Sequence, residues 1–291
     1  MFDQNETLEQ ARARNVRDAL AEDIGRGDWT GRLIAGSQRL SARVLARESA
    51  LLCGQPWFED CLHQLDPAAT VQWLIAEGGA TSAGAPVCVI EANARALLAV
   101  ERPALNFLQL LSATATTTRR FVAAIAGASP NPRGCAILDT RKTLPGLRLA
   151  QKYAVRTGGG RNQRLALYDG ILIKENHIAA AGGVTPALQA ARALESGVAV
   201  QIEVETLAQL AEAIAAGAAD ILLDNFSLAQ MREAVSVSAG RANLEVSGGV
   251  DLAHVREIAA TGVDRISIGK LTKDVAAVDF SMRVTELLHA G

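Results

Sequence analysis

The segment between residues 139 and 174 has the residue types that bind a small anion. From Arg141 to Lys174 the chain carries eight cations and one acid, Asp169, although its overall formal charge is −2. Arginine binds carboxylates and phosphates through paired hydrogen bonds, and lysine binds them as a point charge. The sequence therefore predicts a site here for a multiply anionic ligand.

Only part of this basic segment has helical spacing. Arg148, Lys152 and Arg156 recur every four residues, which predicts one solvated stripe on a helix. The other candidates lie at predicted strand ends or in a glycine-rich loop, where the backbone can approach a ligand closely. These candidate binding residues are Arg141, Lys142, Arg164 and Lys174.

From residue 135 onward, short apolar runs alternate with amphipathic segments, as in a parallel sheet whose strands are each followed by a helix. The predicted strands are 135–139, 170–174, 198–205, 220–225, 243–248 and 264–269. The predicted helices are 147–157, 185–196, 206–216, 227–238 and 251–261. Six strands are fewer than the eight of a full βα barrel, so we expect an open, incomplete parallel βα barrel.

The first part of the chain has the pattern of a separate α+β layer. Helices are predicted at 7–22, 56–65, 101–112 and 114–126, a strand with its return at 40–53, and two or three strands after residue 70. Thr7 and Gln10 fit a capping box at the start of the first helix. We expect an α+β domain at 1–115, a βα barrel at 116–272, and a tail at 273–291 that packs back on the first domain.

All six predicted strands of the second domain end in polar, charged or glycine residues, and such ends carry the functional groups of βα barrels. Ser247, Gly248 and Gly249 precede a predicted helix start near Asp251, which favours a phosphate cradle made of backbone N–H groups. Ile268–Gly269, after the next strand, would complete this cradle.

Two carboxylates end strands opposite the basic half of this site. Glu203 and Asp224 are suited to hold Mg²⁺ or the hydroxyl groups of a ribose. The alternative interpretation is that they are ordinary acids at helix N-termini. A ligand with phosphate, sugar hydroxyls, a metal ion and a separate dianionic part matches the whole set.

The composition excludes several classes of protein. No apolar run is long enough to span a bilayer, so we expect no membrane partner. The near-zero net charge argues against a nucleic-acid partner. The start of the chain lacks the pattern of a signal peptide, and the four cysteines are scattered. These features predict a reduced, cytoplasmic setting.

The motifs LDTRKTLPGLRLAQKYAVRTGGG, LIKENHI, IEVET, ILLDN, EVSGG and ISIGKLT closely resemble those of the quinolinate phosphoribosyltransferases. ALAEDIGRGDWT and ERPALNFLQLLS extend the resemblance over nearly the whole chain. The family fold is an α/β class fold, with an N-terminal α+β sandwich domain plus an open, incomplete βα barrel, and it agrees with the pattern described above. The resemblance implies an enzyme that joins quinolinate to phosphoribosyl pyrophosphate with Mg²⁺, giving nicotinate mononucleotide, pyrophosphate and carbon dioxide for NAD synthesis.

The resemblance also implies a role for each matching residue. The quinolinate carboxylates would be bound by Arg141, Lys142, Arg164 and, from the neighbouring subunit of a homodimer, Arg102. Lys174 would lie near both substrates, and Glu203 and Asp224 would serve the ribose hydroxyls and Mg²⁺. The phosphate would be received by Ser247, Gly248, Gly249, Ile268 and Gly269. The residues expected to take part directly in catalysis are Lys142, Lys174, Glu203 and Asp224.

One position departs from the family pattern. The family usually reads GGGxxHR, whereas this chain reads GGGRNQR, so that Gln163 stands where a histidine is usual. A neutral amide can donate a hydrogen bond to a carboxylate, but it carries no charge near neutral pH. We expect quinolinate to bind at Gln163 with less dependence on pH.

Three other functions remain open at the level of sequence. The first is a related phosphoribosyltransferase that acts on another anionic acceptor. The second is an aldolase that forms a Schiff base on Lys174, since a lysine at a barrel strand end permits this chemistry. The third is a non-enzymatic protein that binds phosphosugars.

Overall fold

The computed structural model describes residues 5–288, which form two compact units. The first unit contains the chain up to Thr117, the segment Leu144–Gly158 and the chain from Asp274 onward; the second contains Thr118–Thr143 and Gly159–Lys273. The segment at 144–158, which the sequence assigned to the barrel, therefore belongs to the first unit. The first four residues of the predicted domain 1–115 and the last three of the predicted tail lie outside the described residues.

The helices and strands alternate along the whole described chain. In chain order they are α1 (Leu8–Ile24), a 3₁₀ turn (Gly31–Leu33), β1 (Arg39–Ala46), β2 (Ala50–Leu51), α2 (Gln55–Leu65), β3 (Thr70–Trp73), β4 (Ala80–Thr81), β5 (Pro86–Asn93), α3 (Ala94–Ile125), β6 (Ala136–Leu138), α4 (Arg148–Thr157), β7 (Gly170–Ile173), α5 (Glu175–Ala181), α6 (Val184–Ala193), β8 (Ala199–Val204), α7 (Leu207–Ala215), β9 (Asp220–Asp224), α8 (Leu228–Ser238), β10 (Asn243–Ser247), α9 (Val255–Ala259), β11 (Arg265–Ser267), α10 (Lys270–Lys273) and β12 (Phe280–Leu288).

The first unit is built on a four-stranded antiparallel sheet in the order β12-β1-β5-β3. The tail strand β12 pairs with β1 along its whole length, so the expected return of the tail to this unit is observed. The capping box at Thr7 and Gln10 also forms as predicted. Buried apolar side chains from the sheet and from α1 to α4 make one core around Trp57, Phe58 and Leu108.

The predicted return strand after residue 46 is wrong in its pairing. β2 pairs with β4, in a separate two-stranded sheet, and β1 pairs with β12 and β5. The alternation of apolar residues identified the strands but carries no information about which distant strand is the partner.

The two helices predicted at 101–112 and 114–126 are one helix, α3, of 32 residues. The Ser and Thr residues near position 113, which favour a break, are held inside the helix by tertiary contacts. Ser112 is fully buried, and its hydroxyl accepts a hydrogen bond from the N–H of Cys53 at 2.9 Å and donates one to the Cys53 carbonyl at 3.1 Å. Packing therefore overrides local propensity here.

Helix α4 does not carry the predicted solvated basic stripe. Arg156 is exposed, but Lys152 is only 2% exposed, and Gln151 beside it is fully buried. The four-residue spacing of the cations correctly indicated a helix but not which of its faces packs against the core.

The second unit is an open parallel sheet of six strands in the order β6-β11-β10-β9-β8-β7. Helices follow β7 to β11, and the edge strands β6 and β7 are not paired with each other. This arrangement confirms the predicted fold class, a sheet domain followed by an incomplete βα barrel. Parallel pairing places the carboxyl ends of all six strands at the same edge of the sheet.

One barrel helix is shorter than predicted. The helix expected at 251–261 is confined to α9, Val255–Ala259, because Asp251 accepts a hydrogen bond from the backbone N–H of His254 and closes a turn first. The N-terminus of a helix therefore does not directly follow Gly249, in contrast to the expected arrangement.

No helix between residues 5 and 288 is long and apolar enough to cross a membrane. The four cysteines are free thiols, and burial raises the pKa of Cys61, Cys88 and Cys135 to about 12.

Candidate functional site

The carboxyl edge of the six-stranded sheet brings most of the predicted site residues together, in the order of the strands. At one side, Lys142 follows β6 and Gly269 follows the neighbouring strand, β11. A Cβ atom at Gly269 would lie 3.0 Å from Cδ of Lys142, so the lysine stem runs directly over the glycine. Thr272, in α10, donates to the Lys142 carbonyl at 2.7 Å and fixes this loop. The backbone at Gly269 and the cationic side chain of Lys142 therefore lie side by side.

The next two strands place the glycine turn beside an acid. Ser247 ends β10 in register with Asp224, which ends β9. Gly248 has a φ of +102° and Gly249 a φ of +58°, which side chains with a Cβ rarely adopt. A Cβ at Gly248 would lie 3.1 Å from Oδ1 of Asn225 and 3.6 Å from Oδ1 of Asp224. The two glycines thus leave exposed backbone next to a carboxylate.

Glu203, at the end of β8, lies between a cation and a second acid. Its carboxylate is 3.5 Å from Nζ of Lys174, which follows β7. The pKa of Glu203 is raised, first by burial and then by the charge of Asp224, whereas Lys174 opposes the shift. The ionised carboxylates of Glu203 and Asp224 repel each other, so a cation that binds between them relieves this repulsion.

A histidine holds the loop that carries Lys174. Nδ1 of His177 accepts a hydrogen bond from the backbone N–H of Lys174 at 3.0 Å, and the N–H of His177 donates to the Lys174 carbonyl at 2.8 Å. These two bonds fix the backbone on either side of the Lys174 side chain.

Asp139 anchors the loop that carries Gln163 and Arg164. It is fully buried at the end of β6 and accepts hydrogen bonds from Nδ2 of Asn162 at 2.5 Å and from the backbone N–H of Gln163 at 2.9 Å. Arg161 also pairs with β6 through its own backbone. This carboxylate is therefore a structural part of the site rather than a solvated strand end.

Arg164, in the loop after the glycines, lies near the amino end of β7. Its Nη1 donates to the carbonyl of Gly170 at 2.9 Å, whereas Lys174 follows the other end of the same strand, about 13 Å further along at the usual rise per residue. Burial, and then the charge of Arg141, lowers the pKa of Arg164. Two neighbouring guanidinium groups that repel each other form a site where an anion is stabilised.

Inside the sheet, below the carboxyl edge, Gln163 belongs to a polar network. Its Nε2 donates to Oε1 of Gln201 at 3.0 Å, and Nε2 of Gln201 donates to Oε2 of Glu245 at 2.9 Å. Glu245 is 1% exposed, and its Oε2 lies 3.7 Å from Nε of Arg265. Arg265 in turn forms an ion pair with Asp220. These side chains line a cavity of about 170 Å³ together with Arg164.

Arg102 belongs to the other unit of the chain. It is an exposed residue of α3 that lines a cavity of about 380 Å³ in the first unit, where Arg14, Asp18 and Glu22 are among its neighbours. The remaining predicted site residues all belong to the second unit.

The acidic residues fit magnesium only in part. No group of three or more His, Cys, Asp or Glu side chains that could hold a metal occurs within the described range 5–288. Glu203 and Asp224 alone make a pair of oxygen donors. Magnesium is commonly bound by one or two carboxylates together with the phosphates of a substrate, and this donor set matches that mode.

The sequence analysis gave no role to Asn162, Gln201, Glu245 or Arg265. For Gln201, Glu245 and Arg265 the signal was present as charged or amide residues inside otherwise apolar strands, such as Glu245 in NLEVS. The paired residues from Gln163 to Arg265 lie 38 to 45 positions apart in the chain, and Asn162 lies 23 positions from Asp139, so only the fold reveals the network.

Comparison with known proteins gives a consistent result. A family model described as the N-terminal domain of quinolinate phosphoribosyl transferase matches residues 28–112, and the model of the C-terminal domain matches residues 114–283. The chain is 41% identical to a probable nicotinate-nucleotide pyrophosphorylase (carboxylating) of Synechocystis sp., with 91% of this chain and 90% of that protein covered. It is 40% identical to the Bacillus subtilis protein of the same name, with the same coverage.

A solved structure agrees with these relatives. The nicotinate-nucleotide pyrophosphorylase from Francisella tularensis is 43% identical and superimposes with a TM-score of 0.90, covering 98% of this chain and all of that one.

The buried carboxylate of Asp139 gives a prediction about the loop at 161–164. In Asp139→Asn, one of the two accepting oxygens becomes an NH₂ group that faces a donor, so we expect the free energy of unfolding to fall by about 2 kcal/mol. We also expect the backbone N–H of Gln163 to exchange faster with deuterium. Denaturant titration and hydrogen-exchange mass spectrometry measure both effects. The exposed Asp23→Asn is the control, and unchanged exchange at Gln163 would contradict the anchoring role.

Proposed function

This chain belongs to the quinolinate phosphoribosyltransferase family, and we propose that the carboxyl edge of its six-stranded sheet is the active site. The activity is that of a pentosyltransferase: the phosphoribosyl group passes from phosphoribosyl pyrophosphate to quinolinate, which loses carbon dioxide and becomes nicotinate mononucleotide for NAD synthesis. The observation that carries the site is the series of pairs along this edge: Lys142 over Gly269, Gly248 beside Asp224, and Glu203 beside Lys174.

The arginine pair and its neighbours bind the acceptor. Quinolinate carries two adjacent carboxylates, and the repulsion between Arg141 and Arg164 is relieved when such a dianion binds. Lys142 adds a third cation, and Gln163 offers an amide in place of the family's usual histidine. Because both carboxylates of quinolinate are bound, its pyridine nitrogen is held in a fixed position for attack on C1 of the ribose.

The glycine turns bind the phosphorylated sugar. Ser247, Gly248 and Gly249 at one strand end, and Ile268 and Gly269 at the next, present backbone N–H groups to the phosphate. Glu203 and Asp224 accept hydrogen bonds from the ribose hydroxyls. The short α9 begins too late to contribute its N-terminus, so this half of the site depends on backbone geometry alone.

Magnesium is the cofactor that these residues would accommodate. Glu203 and Asp224 would hold it together with the oxygens of the bound pyrophosphate group. When bound, the ion supplies positive charge that stabilises the leaving pyrophosphate.

The chemistry needs no covalent intermediate with the protein. A bond forms between the pyridine nitrogen and C1 of the ribose while the bond from C1 to the pyrophosphate oxygen breaks. Glu203 lies where a carboxylate can stabilise the positive charge that develops on the sugar, and Lys142 and Lys174 compensate the departing anion. The carboxylate at ring position 2 then leaves as carbon dioxide, and the electron pair of the broken bond stays on C2, where the adjacent positively charged nitrogen stabilises it. A proton then adds to C2. The enzyme contributes mainly alignment and charge compensation.

The alternative of a Schiff-base aldolase is not favoured. Lys174 is exposed and pairs with Glu203, whereas a Schiff-base lysine is activated by desolvation or by another cation. The glycine turns and the arginine pair also have no use in that reaction. The family match likewise disfavours a phosphoribosyltransferase with another acceptor and a protein that only binds phosphosugars.

Arg102 is the residue through which we propose that a homodimer completes each site. It lies in the first unit, in the cavity beside Asp18 and Glu22, apart in the chain from the cations of the second unit. The support for this proposal is the ERPALNF motif, which resembles the family segment that reaches the neighbouring subunit. A cytoplasmic setting is supported by the four free thiols, which require a reducing compartment to persist.

An omission assay tests the reaction. We expect nicotinate mononucleotide and carbon dioxide to form only when quinolinate, phosphoribosyl pyrophosphate and Mg²⁺ are all present, because each has its own part of the site. Mass spectrometry identifies the product, and excess EDTA should stop turnover. Product formed with another pyridine acid but not with quinolinate would contradict the proposal.

Mixing two inactive variants tests the shared site. Arg102→Ala and Lys174→Ala should each be inactive alone, and after mixing and subunit exchange about a quarter of the activity should return, because half of the dimers then hold one intact site. The matched control mixes Arg141→Ala with Lys174→Ala, which lie in the same unit and should restore nothing. Failure of the Arg102 pair to recover, with subunit exchange demonstrated, would contradict the dimeric site.

A pH series tests the consequence of Gln163. The amide does not titrate, so the KM for quinolinate should gain no pH dependence from this residue between pH 6 and 8. In Gln163→His the imidazole, with an ordinary pKa near 6.5, should give a KM that is lowest at pH 6, where the ring is charged, and that rises towards pH 8. Steady-state kinetics at each pH measure this, and identical profiles for the two proteins would refute it.

A further inference from the structure

The polar network below the active site is unusual for the interior of a parallel sheet. Inward positions of βα barrels are normally filled by branched apolar side chains. Here Gln201 and Glu245 point inward from two different strands, and they contact each other at 2.9 Å. Oε1 of the buried Glu245 has no hydrogen-bond partner within the described part of the chain. A buried carboxylate in this condition reduces the stability of the fold, so its presence calls for a functional explanation.

The direction of the hydrogen bonds supplies that explanation. A carboxylate that lies beside Arg265 presents acceptors only, so Gln201 must turn its NH₂ group towards Glu245. The oxygen of Gln201 then faces Gln163, which must turn its own NH₂ group towards it. The carboxylate of Glu245 therefore fixes, through Gln201, the orientation of the Gln163 amide.

This orientation matters because the two ends of an amide differ chemically. A glutamine whose Oε1 and Nε2 exchange places offers an acceptor where it had offered a donor, and the exchange changes its shape hardly at all. One hydrogen of the Gln163 NH₂ group is donated to Gln201, and the second is left for a carboxylate of the ligand; in the reversed amide an oxygen would take the place of this donor and repel the carboxylate. An imidazolium would not need such control, since both of its nitrogens donate.

We propose that Gln201 and Glu245 are positioning residues for quinolinate, which act by holding the amide of Gln163 in one orientation. The proposal rests on the proposed function of the site. Glu245 and Gln201 do not touch the substrate; Arg265, paired with Asp220, lies 3.7 Å from the Glu245 carboxylate. The network thereby orients the neutral amide of Gln163 towards quinolinate, whereas the histidine usual in the family would attract the carboxylates through its charge.

Substitution of Glu245 by its neutral isostere tests the proposal. In Glu245→Gln the new amide can present either end, so the amides of Gln201 and Gln163 can both reverse. We expect the KM for quinolinate to rise about tenfold, the loss of one hydrogen bond to a charged group, while kcat and the KM for phosphoribosyl pyrophosphate change less than about twofold. The exposed Glu233→Gln is the matched control and should change neither constant.

A second variant and a double-mutant cycle separate positioning from general damage to the fold. Gln201→Met removes the relay at similar volume and should give the same selective rise in the KM for quinolinate, with thermal unfolding recorded for every variant. In a Gln163→Ala background, Glu245→Gln should change this KM less than about twofold, because the residue through which it acts is gone.

The unaltered chain is assayed first. Absence of turnover with quinolinate overturns the proposed function and the positioning role with it. Turnover with an unchanged KM in Glu245→Gln overturns the positioning role alone, as does an equal rise for both substrates. A rise of equal size in the presence and in the absence of the Gln163 side chain also overturns it.

Discussion

Parallel pairing of six strands is the constraint on which the site depends. Because parallel strands end at the same edge, the residue after each strand becomes a neighbour of the residue after the next one, whatever their separation in the chain. The register of Ser247 with Asp224, and of the strands on either side, converts a list of polar strand ends into a row of contacts. A slip of one residue would turn Glu203 out of the interior and remove both its partners, Lys174 and Asp224.

The two unpaired edge strands of this sheet, β6 and β7, are both contacted by the loop at 161–164. β6 and β7 do not pair, and the segment at 161–164 lies against both of them: Arg161 pairs with β6 through its backbone, and Arg164 donates to the first carbonyl of β7. Unpaired edge groups are thereby satisfied by the same loop that carries Gln163 and Arg164. A closed barrel would have a strand ladder at this place, and these two side chains would have no route to the interior. The missing strands and the placement of Gln163 and Arg164 are two consequences of one arrangement.

Most of the fold and much of the site could be predicted because their signals are local. Strand and helix periodicity gave the six strands of the second unit, and the polar residue after each strand gave Lys142, Lys174, Glu203 and Asp224. What could not be predicted depends on distant partners. The burial of Lys152 and the continuity of α3 through Ser112 are decided by packing, and the contact of Gln201 with Glu245 is decided by the order of strands in the sheet. The contact of Arg164 with the Gly170 carbonyl also depends on distant partners, since Asp139 anchors the loop that carries Arg164.

Gln163 lies where the two electrostatic halves of the second unit meet. Its neighbour Arg164 and the nearby Arg141 are cations, whereas its backbone is held by Asp139 and its side chain, through Gln201, by Glu245. A charged group at this boundary would respond to both sets, and its protonation would change whenever an anion entered the site. A neutral amide does not respond in this way, but it must be oriented by something else. Asp139 holds its backbone and Gln201 holds its side chain, so the position is fixed from two sides by bonds that trace back to buried carboxylates. Burying Asp139 and Glu245 has an unfavourable free energy. On the proposed positioning role, these buried acids orient the uncharged amide of Gln163 for a charged ligand.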